Sequence, residues 1–439
     1  MISFENLNYR KNSFRDKFFR NSKLKKIGVL GTLFFFCITY FINGSFPANA
    51  SISQSVLGIN KGGTNANSIQ SAQTNLGILD EIDLYEQGVN SDRFLSSKAT
   101  YDYISASLEH KKRFILGGIN GLISTCYYTT DCSQVANWSA AIQINGTSGT
   151  SDSGYWWGIT HGKGLFVTTG QGGTISTCKD DLDCSKSADW STAFVKGAYW
   201  YFSQYGNGQF IAAGSRGSGN GSVSRCFAAN DCSVGSNWSD VIDIPGQNGT
   251  WIGLLHTKGL FITTNVNGQI SSCRDTTDCG LSQNWKTAQT ITGVAGYGIT
   301  RGENQFIISG TTGSVAACPS NTDCTEASNW TSSQSLESGT VWRPVVYGNG
   351  QFITVGQSGK IARCYDNTNC ADAANWTVLA YSGQNSWWDT ATFGNNMFVI
   401  GGYTGSVSTC LATADCGLQS SWSQIIRIPG NSTFWTSAL

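Results

Sequence analysis

Short apolar runs separated by polar turns dominate residues 113–439 of this chain. The runs last four to six residues and are rich in Phe, Ile, Val, Trp and Tyr, as in QFITVG at 351–356 and QFIAAG at 209–214. Gly, Asn and Ser bound the runs. Aromatic and β-branched residues favour strands, whereas Gly and Asn favour tight turns. The pattern therefore predicts strands and turns, and an all-β structure.

Seven pairs of cysteines mark a repeat along the same region. Five residues separate the two members of each pair, and the first members of successive pairs lie 45 to 52 residues apart. A Gly stands five residues before every first Cys, and a Trp stands six residues after every second Cys. The pairs are Cys126/Cys132, Cys178/Cys184, Cys226/Cys232, Cys273/Cys279, Cys318/Cys324, Cys364/Cys370 and Cys410/Cys416. A fixed period of this length indicates a repeat architecture.

Each unit contains four predicted strands, which is the content of one β-propeller blade. The first unit begins at Arg113 and lacks the first strand of the other units, while the tail at 432–439 has the pattern of such a strand. We therefore predict that the tail completes the first blade, since a closed ring has no exposed sheet edge. The predicted fold is a seven-bladed β-propeller over residues 111–439, closed by the C-terminal strand.

The unit resembles the Asp-box, or BNR, repeat of sialidase-like propellers. The resemblance lies in the hairpin at 347–352, in Asp366 and in the Asn375-Trp376-Thr377 triplet, with their counterparts in the other units. In that family the motif is structural and lies opposite the ligand site, so the resemblance implies a fold and not an activity. The sequence departs from the family because a Cys pair frames the turn.

Residues 1–50 have the pattern of a secretory signal peptide. Eight Lys and Arg residues precede an apolar core at 27–42, and Ala-Asn-Ala follows at 48–50. These features predict cleavage after Ala50. The alternative is an uncleaved membrane anchor, although the apolar core is short for a membrane-spanning helix. Either reading exports the propeller.

Residues 51–110 are predicted to connect the signal segment to the propeller. The Gly-Gly-Thr-Asn-Ala at 62–66 and the Asn-Leu-Gly at 75–77 resemble a short motif of phage tail-fibre proteins. That resemblance implies a stalk over 51–82, often homotrimeric, in a bacterial surface or particle-bound protein; the alternative is a polar linker. An apolar stripe over 92–110 predicts a helical connector within 83–110.

Export determines the expected chemistry of the cysteines. Outside the cytosol, paired cysteines form disulfides, so all fourteen are predicted to bridge within their own unit. We expect each bridge to pin a solvent-exposed outer turn. The chain has three His residues, none at a fixed place in the repeat, so neither a metal site nor another cofactor is predicted.

Aromatic residues cluster where the first strand of each blade begins. Five Trp residues recur ten positions before the Phe of the second strand and are predicted to pack between blades: Trp156, Trp200, Trp251, Trp342 and Trp388. The aromatic neighbours that do not recur are the predicted ligand-binding residues: Tyr155, Trp157, Tyr199, Tyr201 and Trp387. First strands line the channel of a propeller, and aromatic faces suit sugar rings or peptide side chains. The upper mouth of the channel is thus the predicted ligand site.

The sequence favours a binding or adhesion module for a glycan or a protein ligand. With 28 basic and 28 acidic residues and no basic patch, nucleic acid is not a predicted partner. One alternative is a glycoside hydrolase of sialidase type, because Arg427-Ile428-Pro429 resembles a signature of those enzymes. The scarcity of Glu and Arg makes a catalytic carboxylate pair hard to assemble, and no catalytic residue is predicted. A further alternative is a structural docking platform.

Overall fold

The computed structural model describes residues 112–145, 154–192, 194–217 and 219–439. Within them, 28 strands form seven antiparallel sheets of four strands, which confirms the predicted seven blades. The predicted signal segment (1–50), stalk (51–82) and helical connector (83–110) lie outside the described residues. In the described part of the chain, every helical segment is too short to cross a membrane.

The innermost strand of each sheet is β4 (Trp156–Gly162), β8 (Tyr199–Gly206), β12 (Trp251–Thr257), β16 (Gly296–Arg301), β20 (Trp342–Gly348), β24 (Trp388–Gly394) or β28 (Trp435–Ala438). The second strands are β1 (Arg113–Gly118), β5 (Leu165–Gly170), β9 (Gln209–Arg216), β13 (Leu260–Asn265), β17 (Gln305–Gly310), β21 (Gln351–Gly356) and β25 (Met397–Gly402). The third strands are β2 (Leu122–Tyr127), β6 (Thr174–Lys179), β10 (Asn220–Phe227), β14 (Gln269–Arg274), β18 (Ser314–Pro319), β22 (Lys360–Tyr365) and β26 (Ser406–Leu411).

The outer strands are short: β3 (Ile142–Gln143), β7 (Phe194–Val195), β11 (Ile242–Asp243), β15 (Gln289–Thr290), β19 (Gln334–Ser335), β23 (Trp376–Ala380) and β27 (Ile426–Arg427). The described helical segments are three-residue 3-10 turns: Ile119–Gly121, Val135–Asn137, Gln171–Gly173, Ser187–Asp189, Gly235–Asn237, Ser282–Asn284, Ala327–Asn329, Gln357–Gly359, Ala373–Asn375, Tyr403–Gly405 and Gln419–Ser421. We number the blades one to seven in chain order. Blade one has the strand order β28-β1-β2-β3.

The C-terminal strand closes the ring, as predicted. β28 pairs antiparallel with β1, with Leu116 opposite Ala438. The backbones of Ile115 and Leu439 exchange two hydrogen bonds of 3.0 Å. Each inner strand then lies against the inner strands of both neighbouring blades, so the seven strands enclose a central channel. The first and last segments of the propeller therefore share one sheet.

The core lies between blades. The recurring inner-strand Trp residues are at most 1% exposed, which confirms their predicted packing role. One cluster joins Ile353 and Ile361 of blade six to Trp388 and Phe398 of blade seven, and equivalent clusters lie between the other blades. Burying such side chains stabilises the fold by about 2 kcal/mol each. The stability of each blade therefore depends on its neighbours.

All seven predicted disulfides are present, each within its own blade. Their environment differs from our expectation, because every bridged cysteine is at most 4% exposed. The prediction that the bridges pin a solvent-exposed outer turn was therefore wrong for both cysteines of every pair: Cys126 and Cys132, Cys178 and Cys184, Cys226 and Cys232, Cys273 and Cys279, Cys318 and Cys324, Cys364 and Cys370, and Cys410 and Cys416.

The tryptophan that follows each bridge helps to bury it. In each blade the indole Nε1 of this Trp donates to the backbone carbonyl of the second Cys at 2.8–2.9 Å. In blade one, for example, Trp138 donates to the carbonyl of Cys132. The bridge and the Trp together form a buried corner in each blade.

A glutamine at the start of the second strand explains why this corner is covered from outside its own blade. Gln351 of blade six lies against the disulfide turn of blade seven, where its amide donates to the carbonyls of Ala412 (3.0 Å) and Ala414 (2.9 Å). The backbone N–H of Cys416 donates back to the Gln351 side chain at 3.1 Å. Gln209 and Gln305 bind the next blade in the same way. These contacts join each turn to the preceding blade.

The recurring Gly before the first Cys serves a tight turn. At Gly359 the backbone has φ +69°, a conformation that favours glycine. A Cβ at this position would collide with the backbone oxygen of Gln384. Both the dihedral angle and the close approach therefore require Gly between the second and third strands.

Candidate ligand site at the channel mouth

A β-bulge lies at the same place in every inner strand. In blade two, Trp156 pairs with Gly170 and Gly158 pairs with Thr169, which leaves Trp157 without a partner across the ladder. A bulge aims its extra residue away from the regular alternation of the strand. The corresponding bulge residues follow the recurring inner-strand position: Trp157, Tyr201, Ile252, Tyr297, Arg343, Asp389 and Thr436.

The bulge residues surround one end of the channel, which we call the channel mouth. A cavity of about 660 Å³ lies there, and residues of all seven inner strands line it. Six of the seven bulge residues are among them, whereas Ile252 is buried at 4% exposure and does not line the cavity. The volume is within the range of small-molecule binding sites, about 300–1,000 Å³.

One wall of the mouth is aromatic. The rings of Trp157 and Tyr201 stack in parallel, with centroids 4.4 Å apart and an interplanar angle of 3°. Tyr155 lies 5.7 Å from Trp157 at an angle of 40°. All three side chains are partly exposed and line the cavity. This wall, comprising Tyr155, Trp157 and Tyr201, offers an apolar surface with hydroxyl groups at its edges.

The other wall carries an ion pair. The guanidinium carbon of Arg343 lies 4.6 Å from the ring centre of Tyr297 and 4.7 Å from that of Trp387. One guanidinium nitrogen donates to the Tyr297 hydroxyl. Nε lies 3.4 Å from a carboxylate oxygen of Asp389. Arg343 is thus held between two aromatic faces and beside one carboxylate.

Burial perturbs the acids of the mouth. Desolvation raises the pKa of Asp389 from 3.8 to about 6, although the nearby positive charge of Arg343 opposes the shift. Burial also raises the pKa of Tyr297, and Arg343 again opposes the change. The pKa of Tyr201 is raised by burial and, less strongly, by Tyr297 and Tyr199. Both tyrosines therefore remain neutral hydrogen-bonding groups at physiological pH.

The structure brings four of the five predicted ligand-binding residues to the cavity. These are Tyr155, Trp157, Tyr201 and Trp387. Tyr199 instead pairs with Ser215 in the sheet of blade three and is not a lining residue. The placement leaves ligand binding a prediction for all five.

The sequence analysis missed Tyr297, Arg343 and Asp389 as lining residues. The signal that finds them is their place directly after the recurring Trp, or after Gly296 where blade five lacks that Trp. We had searched that region for aromatic residues only, so a charged residue at the same position was passed over.

The described residues contain no group of three or more His, Cys, Asp or Glu side chains that would hold a metal ion. Arg427, of the Arg-Ile-Pro segment, lies exposed in the outer strand β27 and does not line the cavity. Arg343 and Asp389 are the only charged side chains among the residues that line it. The site can therefore stack on rings, donate hydrogen bonds and bind one charged group.

Neither a family model nor a curated protein matches the chain. Several solved structures are similar in fold. The WD40 β-propeller domain of Doa1 is 14% identical, with a TM-score of 0.47 over 66% of this chain and 87% of that one. U3-55K is 11% identical, with a TM-score of 0.46 over 66% and 84%. The computationally designed Ika8 protein is 12% identical, with a TM-score of 0.41 over 67% and 92%.

At these identities, the class of protein rests on the strand pairing of the chain itself. The described residues form an all-β, seven-bladed β-propeller with one disulfide in each blade. The fold is compatible with a binding or docking module, and the disulfides suggest an oxidising environment.

Proposed function

We propose that this protein is an exported binding module that recognises a glycan at the channel mouth and acts in adhesion. One observation supports the proposal above the others. The same β-bulge recurs in every blade, yet its side chain differs from blade to blade, and six of the seven side chains line one cavity. A common scaffold that presents variable side chains to one cavity is suited to recognition.

The chemistry of the mouth supports a sugar ligand. Trp157 and Tyr201 are partly exposed, and an aromatic face binds the apolar face of a sugar ring without needing charge. Backbone and side-chain polar groups at Ser203, Gln204 and Thr300 line the same cavity and can bond hydroxyl groups. A protein ligand that inserts a side chain into the mouth is the alternative occupant.

A sialidase-type activity has weaker support. A retaining mechanism needs two catalytic groups about 5 Å apart, and such enzymes commonly use a carboxylate pair. Asp389 is the one acidic side chain that lines the cavity, and Arg343 is the one arginine. The resemblance to the Asp-box repeat accordingly concerns the fold, and we propose no catalytic residues.

Export and presentation complete the proposal. The disulfides are consistent with the signal peptide that residues 1–50 predict. We propose that residues 51–82 form a stalk, possible as a homotrimer, that presents the propeller on a bacterial surface or a particle. Light scattering of residues 51–439 against residues 111–439 tests this, since only the longer protein should form trimers.

The test of ligand binding is a glycan array with residues 111–439, followed by titration of each hit. Trp157→Ala should weaken a hit by about 1–3 kcal/mol, which is the usual cost of losing a central aromatic contact. Tyr365→Ala is the matched control, because Tyr365 is also partly exposed but lies outside the cavity. Its affinity should match that of the parent protein.

Circular dichroism must show that both variants keep the native sheet content. A folded propeller that binds no glycan on the array would refute the glycan ligand. Equal affinity of Trp157→Ala and the parent protein for every hit would refute the channel mouth as the site.

A further inference from the structure

We propose that the channel mouth selects acidic glycans, with Arg343 binding a sugar carboxylate while the aromatic wall stacks on a sugar ring. The inference rests on the proposed glycan-binding function and adds the charge of the ligand. It assigns Arg343 as the anion-binding group and Asp389 as a positioning residue.

Arg343 has hydrogen-bonding capacity that its neighbours do not use. A guanidinium carries five N–H donors in a planar fork that matches a carboxylate. In the described structure, one donor bonds the Tyr297 hydroxyl, and Nε is buried without a hydrogen-bond partner. The contact of Nε with Asp389, at 3.4 Å, is too long for a strong charge-assisted bond. A second carboxylate can therefore gain bonds that Asp389 does not make.

Exposure decides which charge an incoming ligand meets. The Arg343 side chain is 27% exposed, whereas the Asp389 side chain is 10% exposed. Arg343 also covers faces of Tyr297 and Trp387, which would otherwise attract a cation. A cationic ligand would thus meet a guanidinium in front of the carboxylate and find two aromatic faces occupied. The more exposed charge favours an anion.

The aromatic wall indicates that the anion belongs to a ring. Trp157 in blade two and Arg343 in blade six lie on different sides of the seven-membered ring of strands, and both line the same cavity. A ligand that uses both must place a stackable ring and a carboxylate within one cavity of about 660 Å³. A short oligosaccharide containing a uronic acid has this combination. An acidic peptide has the carboxylate but no requirement for the stacking wall.

Asp389 holds the guanidinium in place and also competes with the ligand. Its carboxylate is mostly buried beside Arg343, with Thr390 and Thr392 of the same strand also at the cavity. Replacing it with Asn keeps the shape and removes the competing charge. The same change should therefore increase the attraction of Arg343 for an external carboxylate.

The experiment compares uronic-acid oligosaccharides with their methyl esters, which keep the sugar rings but lack the charge. Binding to residues 111–439 is measured by titration calorimetry. The parent protein should prefer the acid to its ester by about tenfold or more, as a charge-assisted bond predicts. Arg343→Gln should reduce that preference to about one, and Arg343→Lys should keep part of it. Arg427→Gln, which changes an exposed arginine outside the cavity, should leave it unchanged.

The remaining variants separate the two proposals. Asp389→Asn should raise the preference for the acid severalfold, and Trp157→Ala should weaken acid and ester alike. If Arg343→Gln keeps the preference, or if no acid binds better than its ester, the inference is wrong, while a neutral glycan lost in Trp157→Ala would keep the proposed function. If an acidic peptide binds through Arg343 and no uronate does, the glycan assignment is wrong. Loss of all glycan binding, with a native fold, refutes both.

Discussion

The contact between Gln351 and the next blade makes a quantitative prediction about stability. Gln351 is 3% exposed, and Gln351→Ala removes its bonds to the N–H of Cys416 and to the carbonyls of Ala412 and Ala414. The Ala412 carbonyl keeps a bond from Asn349 at 2.9 Å. The change therefore leaves two backbone groups, the Cys416 N–H and the Ala414 carbonyl, without these partners.

Each buried polar group that loses its partner costs about 1–3 kcal/mol, so the expected loss of unfolding free energy is about 2–6 kcal/mol. A cooperative unit of roughly 330 residues has an unfolding entropy near 0.7 kcal/mol/K by the per-residue average. The melting temperature should thus fall by about 3–9 °C. Differential scanning calorimetry of residues 111–439 measures it.

Two controls make the prediction specific. Gln424→Ala changes an exposed glutamine in blade seven and should leave the melting temperature unchanged. Gln351→Met keeps most of the volume, and blade seven itself carries Met397 at the equivalent position. If hydrogen bonds cause the loss, the Met variant should also be destabilised. A Gln351→Ala protein that melts within 1 °C of the parent would refute the reasoning.

Two further predictions concern closure and pH. Trp435 is fully buried in the closing strand, so Trp435→Ala should cost about 3–5 kcal/mol and promote aggregation through the weakened edge of β1; an unchanged melting temperature would contradict closure by this strand. The raised pKa of Asp389 means that the folded state binds its proton more tightly than the unfolded state, so this residue lowers stability as pH rises from about 4 to above 6. Relative to the parent protein, Asp389→Asn should therefore gain up to about 3 kcal/mol between pH 4 and pH 7.5 in urea unfolding, and a difference that stays flat across that range would count against the shift.

Much of the propeller could be predicted from the sequence because its determinants are local and repeated. The seven Cys pairs, the Gly before each pair and the Trp after it recur at one spacing, so any blade predicts the others. The disulfides follow from the same spacing, because each bridge joins cysteines six positions apart. Closure followed from the strand that the first unit lacks and the tail supplies.

The tertiary structure decided which side chains meet. A bulge exists only relative to the partner strand, so the pattern of one strand cannot show that Arg343 and Asp389 leave the ladder and enter the channel. The same holds for the disulfide turns, which the sequence placed in solvent and which Gln351 and its counterparts cover from the preceding blade. Local patterns determine strands and their number, whereas contacts between blades depend on register and on residues about sixty positions apart.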